Sequence, residues 1–203
     1  MSERALTTGE MALAKRVFKD SLDYGKIKIH NEKYKFFQPN ESGMTPAGEI
    51  YIAGTQTYQA DYSLARVRLR AFFIHEMTHV WQYQLNILNP VTAAIGESIL
   101  NIFDYDKAYN YELIPTKDLL KYRIEQQAQI VEDYYLWHLE AVPPARKRAT
   151  NSGSSSSYVP IYLQVLAGFL SNPGYARHIT VRNRETYGPP SSRHVTCTRV
   201  LAP

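Results

Sequence analysis

Residues His75, Glu76 and His79 belong to one five-residue string, His-Glu-Met-Thr-His, whose spacing suits metal chemistry. In a helix, side chains four positions apart lie one above the other on the same face. Two imidazoles at this spacing can bind one ion, and the adjacent glutamate can take a proton from a coordinated water. The string therefore predicts a Zn²⁺ site with His75 and His79 as ligands and Glu76 as the catalytic base.

The residues around this string predict that its helix is buried. Apolar residues occupy nearly every face between Ala71 and Trp81, within a helix predicted over residues 63–85. Burying polar groups without partners costs on the order of 2–7 kcal/mol, so two histidines and a glutamate here need a metal or hydrogen bonds. A surface helix that merely carries these residues fits the pattern poorly.

A catalytic zinc ion usually takes three protein ligands and keeps one position for water. The position where one branch of zinc peptidases has its third histidine is Leu85, so the ligand must come from elsewhere. The best candidate is Glu125, on a helix predicted over residues 117–137 after an N-cap at Thr116. Ala128, one turn further on, is small enough to let two helices approach closely. The carboxylates that remain as alternatives are Glu112, Asp118, Glu132 and Asp133, of which the last two can also accept a histidine N–H.

The pattern before the buried helix predicts a small sheet. Thr7 and Glu10 can form a capping box for a helix over residues 8–19. Alternation of apolar and polar residues predicts strands at residues 26–30, 33–37 and 49–53, with a loop over residues 38–48. We expect the strand at residues 49–53 to be the sheet edge that binds an extended substrate.

Further along the chain, the pattern predicts a helix over residues 92–103 and another over residues 160–170. The 203 residues suit one domain over residues 1–140, a flexible serine-rich linker over 141–159, and a C-terminal helix and tail over 160–203 that can pack on the domain.

Tyr109 or Tyr111, in a tyrosine-rich segment, can donate a hydrogen bond to an oxyanion.

Composition narrows the classes of function. The net charge is +4, but the basic residues are scattered, so we expect no nucleic-acid partner. Cys197 is the only cysteine, which excludes an internal disulfide. No apolar stretch has the length of a membrane span, and the first residues lack the apolar core of a Sec signal, so we expect no stable membrane insertion and export by another route.

The extended string Phe73-Ile-His-Glu-Met-Thr-His-Val-Trp-Gln-Tyr-Gln84 is far more specific than its core. Three other segments accompany it: Leu6-Thr-Thr-Gly-Glu10, Met44-Thr-Pro-Ala-Gly-Glu-Ile-Tyr51 and Glu125-Gln-Gln-Ala128. Together they resemble the zinc metallopeptidase domain that forms the C-terminal extension of VgrG-type spike proteins of type VI secretion, and that free-standing Vgr-related proteins also carry. The resemblance covers about residues 6–137.

The resemblance implies an α+β, mainly helical, zincin-like fold of the gluzincin type, with a small sheet beside the active-site helix. It implies Zn²⁺ bound by His75, His79 and Glu125, with Glu76 as the base. It also implies an antibacterial effector, secreted through type VI secretion, that cleaves a protein or peptide in the envelope of the target cell and acts in its periplasm. The implied partners are a cognate immunity protein and, if the chain is part of a longer one, the secretion spike.

Two other functions remain open at this stage. The domain can keep zinc as a structural brace and act as a non-catalytic adaptor of a secretion spike. It can also be an amidase that acts on peptidoglycan peptides, with the same metal chemistry and another substrate.

Overall fold

A computed structural model of the chain describes residues 3–87, 109–143, 149, 158–177 and 198–200. Within them the fold is α+β, with five short strands in one mixed sheet that shares its hydrophobic core with the helices. The strands are β1 Glu3–Ala5, β2 Lys28–His30, β3 Ser42–Met44, β4 Ile50–Ala53 and β5 Thr198–Val200. The helices are α1 Thr8–Phe18, α2 Val67–Gln84, α3 Ile124–Tyr134, α4 Tyr158–Val165 and α5 Ala167–Ser171.

The order of strands in the sheet is β1-β2-β4-β3-β5, and only β2 and β4 run parallel. The strand predicted at residues 49–53 is confirmed as β4, but its expected place at the sheet edge is wrong, because β2 and β3 flank it. Residues 38–48, predicted as a loop, contain β3, which pairs Gly43 with Ile52. A three-residue strand among glycines and prolines gives too little alternation to be recognised.

The strand predicted at residues 33–37 does not form. The backbone N–H of Tyr34 donates to Gln38 Oε1 at 2.7 Å, and the Gln38 amide donates to the carbonyls of Ser42 and Tyr51. These bonds fold the segment into a compact turn. Phe36 at its tip is 92% exposed, so the alternation here reflects no buried face.

Helix α1 begins with the predicted capping box. Thr7 Oγ1 accepts the N–H of Glu10 at 3.0 Å, and Glu10 Oε2 accepts the N–H of Thr7 at 2.9 Å. The buried Glu10 carboxylate also accepts hydrogen bonds from Nη1 and Nη2 of Arg4, at 2.7 Å each, and from the N–H of Tyr62. One carboxylate therefore joins β1, α1 and the 3₁₀ turn at Tyr62–Leu64 that precedes α2.

Helix α2 is buried without interruption from Ala71 to Gln82, as predicted, although it begins at Val67 rather than at residue 63. Helix α3 begins at Ile124, so the start predicted at residue 117 with Thr116 as N-cap is wrong. Residues Leu119–Lys121 form a separate 3₁₀ turn, which the helical pattern alone did not distinguish. A π-helical turn, Tyr135–Leu139, continues α3 at its C-terminal end.

The predicted C-terminal helix is two helices, α4 and α5, separated at Leu166. Phe169 of α5 packs edge-on against Phe18 and Trp81, with ring centroids 5.9 and 5.1 Å apart. Trp81 Nε1 donates to the carbonyl of Pro173 at 2.9 Å. These contacts attach residues 158–177 to the core around α2.

Other predictions fall outside the described residues. They are the helix at residues 92–103 and most of the linker at 141–159, so the division into residues 1–140, 141–159 and 160–203 stays a prediction. In the part of the chain that is described, no helix combines the length and apolar character needed to cross a bilayer.

Candidate metal centre

Helices α2 and α3 pack together and bring three predicted ligands to one point. His75 Nε2 and His79 Nε2 lie 3.2 Å apart, and Glu125 Oε2 lies 3.5 Å from the first and 3.6 Å from the second. All three side chains are buried. The i, i+4 spacing on α2 supplies the two imidazoles, and the first turn of α3 supplies the carboxylate.

These separations match the requirements of a zinc ion. With bonds of about 2.0–2.2 Å and tetrahedral angles, the ligand atoms around zinc lie about 3.3–3.6 Å apart. The observed 3.2, 3.5 and 3.6 Å fall on or beside that range. A set of two imidazoles and one carboxylate is also a common donor set of catalytic zinc. The residues present therefore fit the ion.

The Glu125 carboxylate supports the same interpretation. Neither of its oxygens has a hydrogen-bond partner among the described residues, and the contacts with the histidines are too long for hydrogen bonds. Burial alone raises the pKa of Glu125, and only positive charge beside it, from His79 and His75 in their protonated form or from a cation, lowers that pKa below its ordinary value. A buried, ionised carboxylate without hydrogen bonds is costly, and a cation between it and the imidazoles removes that cost.

The Nδ1 atoms of both histidines have hydrogen-bond partners. His75 Nδ1 lies 3.0 Å from Glu132 Oε2, and His79 Nδ1 lies 2.8 Å from Gln82 Oε1. A carboxylate or amide oxygen can only accept, so each Nδ1 donates its hydrogen and each Nε2 presents a lone pair to the centre. Glu132 was predicted as such an acceptor, whereas Gln82 was missed. Its place three residues after His79, on the same helix face, was the available signal.

Glu76 points from α2 toward β3. Thr45 Oγ1 donates to Glu76 Oε2 at 2.5 Å, and Glu76 Oε1 is buried without a hydrogen-bond partner among the described residues. Burial raises the pKa of Glu76, against the opposing influence of the neighbouring His75 and His79. A carboxyl with one fixed oxygen and one unoccupied oxygen is arranged to exchange a proton.

The other candidate ligands lie elsewhere. Asp133 accepts from Gln129 and from Tyr111, whose hydroxyl also contacts Tyr162. These contacts hold the Tyr111 hydroxyl in a buried network, which argues against a role at the oxyanion, and that role stays a prediction. Tyr109 lies beside His75, with ring centroids 5.9 Å apart, and its role stays a prediction.

Asp118 Oδ1 caps the 3₁₀ turn by accepting from the N–H of Leu120, and it also accepts from the hydroxyl of Tyr175. Glu112 is exposed. Neither residue belongs to the described cluster of His75, His79 and Glu125.

Fold and site together define an α+β domain with a buried candidate metal centre of two histidines and one glutamate. The chain matches no known protein-family model. Over 133 residues, 66% of its length, it is 41% identical to the type VI secretion system spike protein VgrG2b of Pseudomonas aeruginosa, and it spans 13% of that protein.

A solved structure, the effector domain of Pseudomonas aeruginosa VgrG2b, is similar over most of both chains. The TM-score is 0.59 and the identity 33%, with 83% of this chain and 84% of that one covered. The chain therefore belongs to the family of VgrG2b-type effector domains of type VI secretion spike proteins.

Proposed function

We propose that this chain is a zinc-dependent endopeptidase with a zincin-like fold, which acts as an antibacterial toxin after type VI secretion. The observation that carries the proposal is the convergence of His75, His79 and Glu125 at 3.2–3.6 Å, with Glu76 next to them in the chain. Membership of the VgrG2b-type family supports the route of delivery.

In this mechanism His75, His79 and Glu125 would hold the metal. Zinc, when bound, lowers the pKa of a coordinated water and polarises the scissile carbonyl. Glu76 accepts the proton of the attacking water and later donates it to the leaving amine. Its raised pKa suits both steps, because a group that titrates nearer to neutral pH can both accept and donate.

The substrate in this proposal is a protein or peptide of the target cell's envelope, and the place of action is the periplasm. The secretion spike carries the domain there, and a cognate immunity protein protects the producing cell. The family supports attachment to a spike, since the related VgrG2b is a spike protein.

The test compares the purified protein with Glu76→Gln, which keeps the size of the side chain and removes its basicity. We expect both proteins to bind one zinc ion, because Glu76 is not a ligand. Peptide hydrolysis should fall by about 10²–10⁴-fold, the usual contribution of a general base.

A Glu76→Gln protein that cleaves peptides at the wild-type rate would refute the peptidase mechanism. Full toxicity of that variant would favour the adaptor function instead. Release of muropeptides rather than protein fragments would identify an amidase.

A further inference from the structure

The carboxyl of Glu76 lies in a notch formed by β3 and the residue that follows it. Gly43 and Thr45 are two positions apart, so they face the same side of the strand. A Cβ at Gly43 would lie 2.5 Å from Glu76 Oε1 and 2.7 Å from its Cδ, which means that the carboxyl occupies the space a side chain would need. Thr45 supplies the hydroxyl that binds the other oxygen, Oε2, at 2.5 Å.

The two oxygens of the Glu76 carboxyl have different environments in this notch. Oε2 is held by Thr45, which is itself 4% exposed, whereas Oε1 is buried without a hydrogen-bond partner among the described residues. An unconstrained glutamate side chain has several rotamers and would spend only part of its time in a productive one. One strong hydrogen bond on one oxygen fixes the rotamer and leaves the other oxygen available.

We propose that Thr45 is a positioning residue for the catalytic base, and that Gly43 provides the space this position requires. The inference rests on the proposed peptidase function and adds the residue that orients Glu76. Thr45 is not part of the cluster of His75, His79 and Glu125, and in this proposal it acts only through the orientation of Glu76.

The experiment compares three full-length variants. Thr45→Val has nearly the same shape and lacks the hydroxyl, Thr45→Ser keeps the hydroxyl, and Thr57→Val is the matched control. Thr57 is also a buried threonine that donates to a glutamate, Glu41, at 2.7 Å, and neither residue belongs to the described cluster of His75, His79 and Glu125. We expect kcat of Thr45→Val to fall about 10–100-fold, the usual cost of losing an orienting partner, with KM and zinc content unchanged. Thr45→Ser and Thr57→Val should retain kcat.

A second readout does not depend on activity. Crystal structures of the zinc-free wild type and Thr45→Val should show the Glu76 carboxyl displaced from β3 in the variant. An unmoved carboxyl, or a Thr45→Val enzyme with wild-type kcat, would overturn the inference. A wild-type protein without peptidase activity would overturn the proposed function instead, and the crystal structures would still decide the role of Thr45.

A different observation concerns the edge of the sheet at which β5 pairs with β3. The strand next to Glu76, β3, is flanked by β4 on one side and by β5, from the C-terminal part of the chain, on the other. Arg199 of β5 pairs with Gly43, the residue that lies against the Glu76 carboxyl. Extended peptides bind proteins by adding a strand to such an edge, and here the chain's own residues occupy it.

We infer that β5 closes the edge of β3 and that a peptide substrate must displace it. This inference also rests on the proposed function, because it treats β3 as the substrate-binding strand. A strand of three residues makes few backbone hydrogen bonds, so displacement by a longer peptide is feasible.

The test uses the full-length double variant Thr198→Pro/Arg199→Pro. Successive N–H groups along a strand face opposite sides, so the two prolines remove whichever N–H faces β3. We expect a lower KM for peptides and a higher kcat/KM. The control is Ser191→Pro/Ser192→Pro, which adds two prolines outside β5.

A binding measurement separates this inference from the proposed function. In a Glu76→Gln background, a fluorescent peptide of residues 195–203 carrying Cys197→Ser should bind the double-proline variant more tightly than the unaltered chain. Equal binding and equal KM, with zinc content and unfolding midpoint retained, would overturn the role of β5. If the double variant does not fold, a variant that ends at Cys197 replaces it, and the KM for peptides and the binding of the fluorescent peptide are measured on that variant.

Discussion

The two histidines of the candidate metal centre differ in the groups that orient them. His75 donates to a carboxylate, Glu132, and His79 donates to a neutral amide, Gln82. In the proposed zinc site, the carboxylate acceptor would make His75 a better electron donor to the metal than the amide acceptor makes His79. Gln82 is in turn fixed by donating to the Ile124 carbonyl and to Gln127 Oε1. The orientation of His79 thus depends on the start of α3, the same turn that carries Glu125.

The first prediction concerns the third ligand. Glu125→Gln keeps the size of the side chain and replaces a charged ligand by a weak one. We expect its zinc affinity to fall by more than about 10–100-fold, which is the usual cost of losing a residue that only hydrogen-bonds to a metal ligand. Metal analysis after dialysis against a chelator measures this. The matched control is Glu112→Gln, because Glu112 is an exposed alternative outside the cluster and its loss should leave zinc content unchanged.

At the scale of elements, a single carboxylate joins three helical segments. Glu140 follows the π-helical turn at the end of α3 and accepts from Arg16 of α1 at 2.8 Å, from Arg70 of α2 at 2.6 Å and from the Tyr135 hydroxyl at 2.7 Å. Because α2 and α3 carry the proposed metal ligands, this cluster helps to fix the angle between the two helices. Burial alone would raise the pKa of Glu140, but Tyr135, Arg70 and Arg16 outweigh it and hold that pKa below its ordinary value of 4.5.

The second prediction follows from the sign of that shift. A carboxyl whose pKa is lower in the folded state stabilises the fold above its ordinary pKa, and that contribution is lost as the pH falls through the folded-state pKa. Glu140→Gln should therefore lower the free energy of unfolding by about 1–3 kcal/mol at pH 7, with the difference shrinking below about pH 4.5. Urea unfolding of both proteins at several pH values measures it.

The control for this measurement is Asp20→Asn. Asp20 pairs with Lys15, but its side chain is 88% exposed, so its loss should change stability by less than about 1 kcal/mol. A difference for Glu140→Gln that stays constant or grows as the pH falls would contradict the prediction.

At the scale of the whole molecule, the proposed function requires a particular compartment. The third prediction is that the chain inhibits growth of a Gram-negative host when an added export leader sends it to the periplasm, and leaves growth unaffected when it stays in the cytoplasm. The physical reason is that the proposed substrate belongs to the envelope. Growth curves and viable counts measure the effect, with exported Glu76→Gln as the control. Equal toxicity in both compartments would contradict the prediction.

The sequence predicted the parts of this molecule that local spacing determines. The i, i+4 histidines, the burial of α2 and the capping box at Thr7 and Glu10 all follow from residues within one or two helical turns. Element boundaries were predicted less well, because the 3₁₀ turn at Leu119–Lys121 has the same apolar spacing as a helix start.

Spacing alone thus determined that two imidazoles and a glutamate share one buried helix, since a helix repeats its geometry over a few residues. Only the tertiary structure brought the predicted Glu125 beside the two imidazoles, placed Thr45 on Glu76 and put β5 beside β3. Glu125 lies 50 positions from His75 in the chain, and Thr45 lies 31 positions from Glu76. Strand β5 lies more than 150 positions from β3. Their meeting depends on how helices and strands pack, which no local pattern of residues encodes.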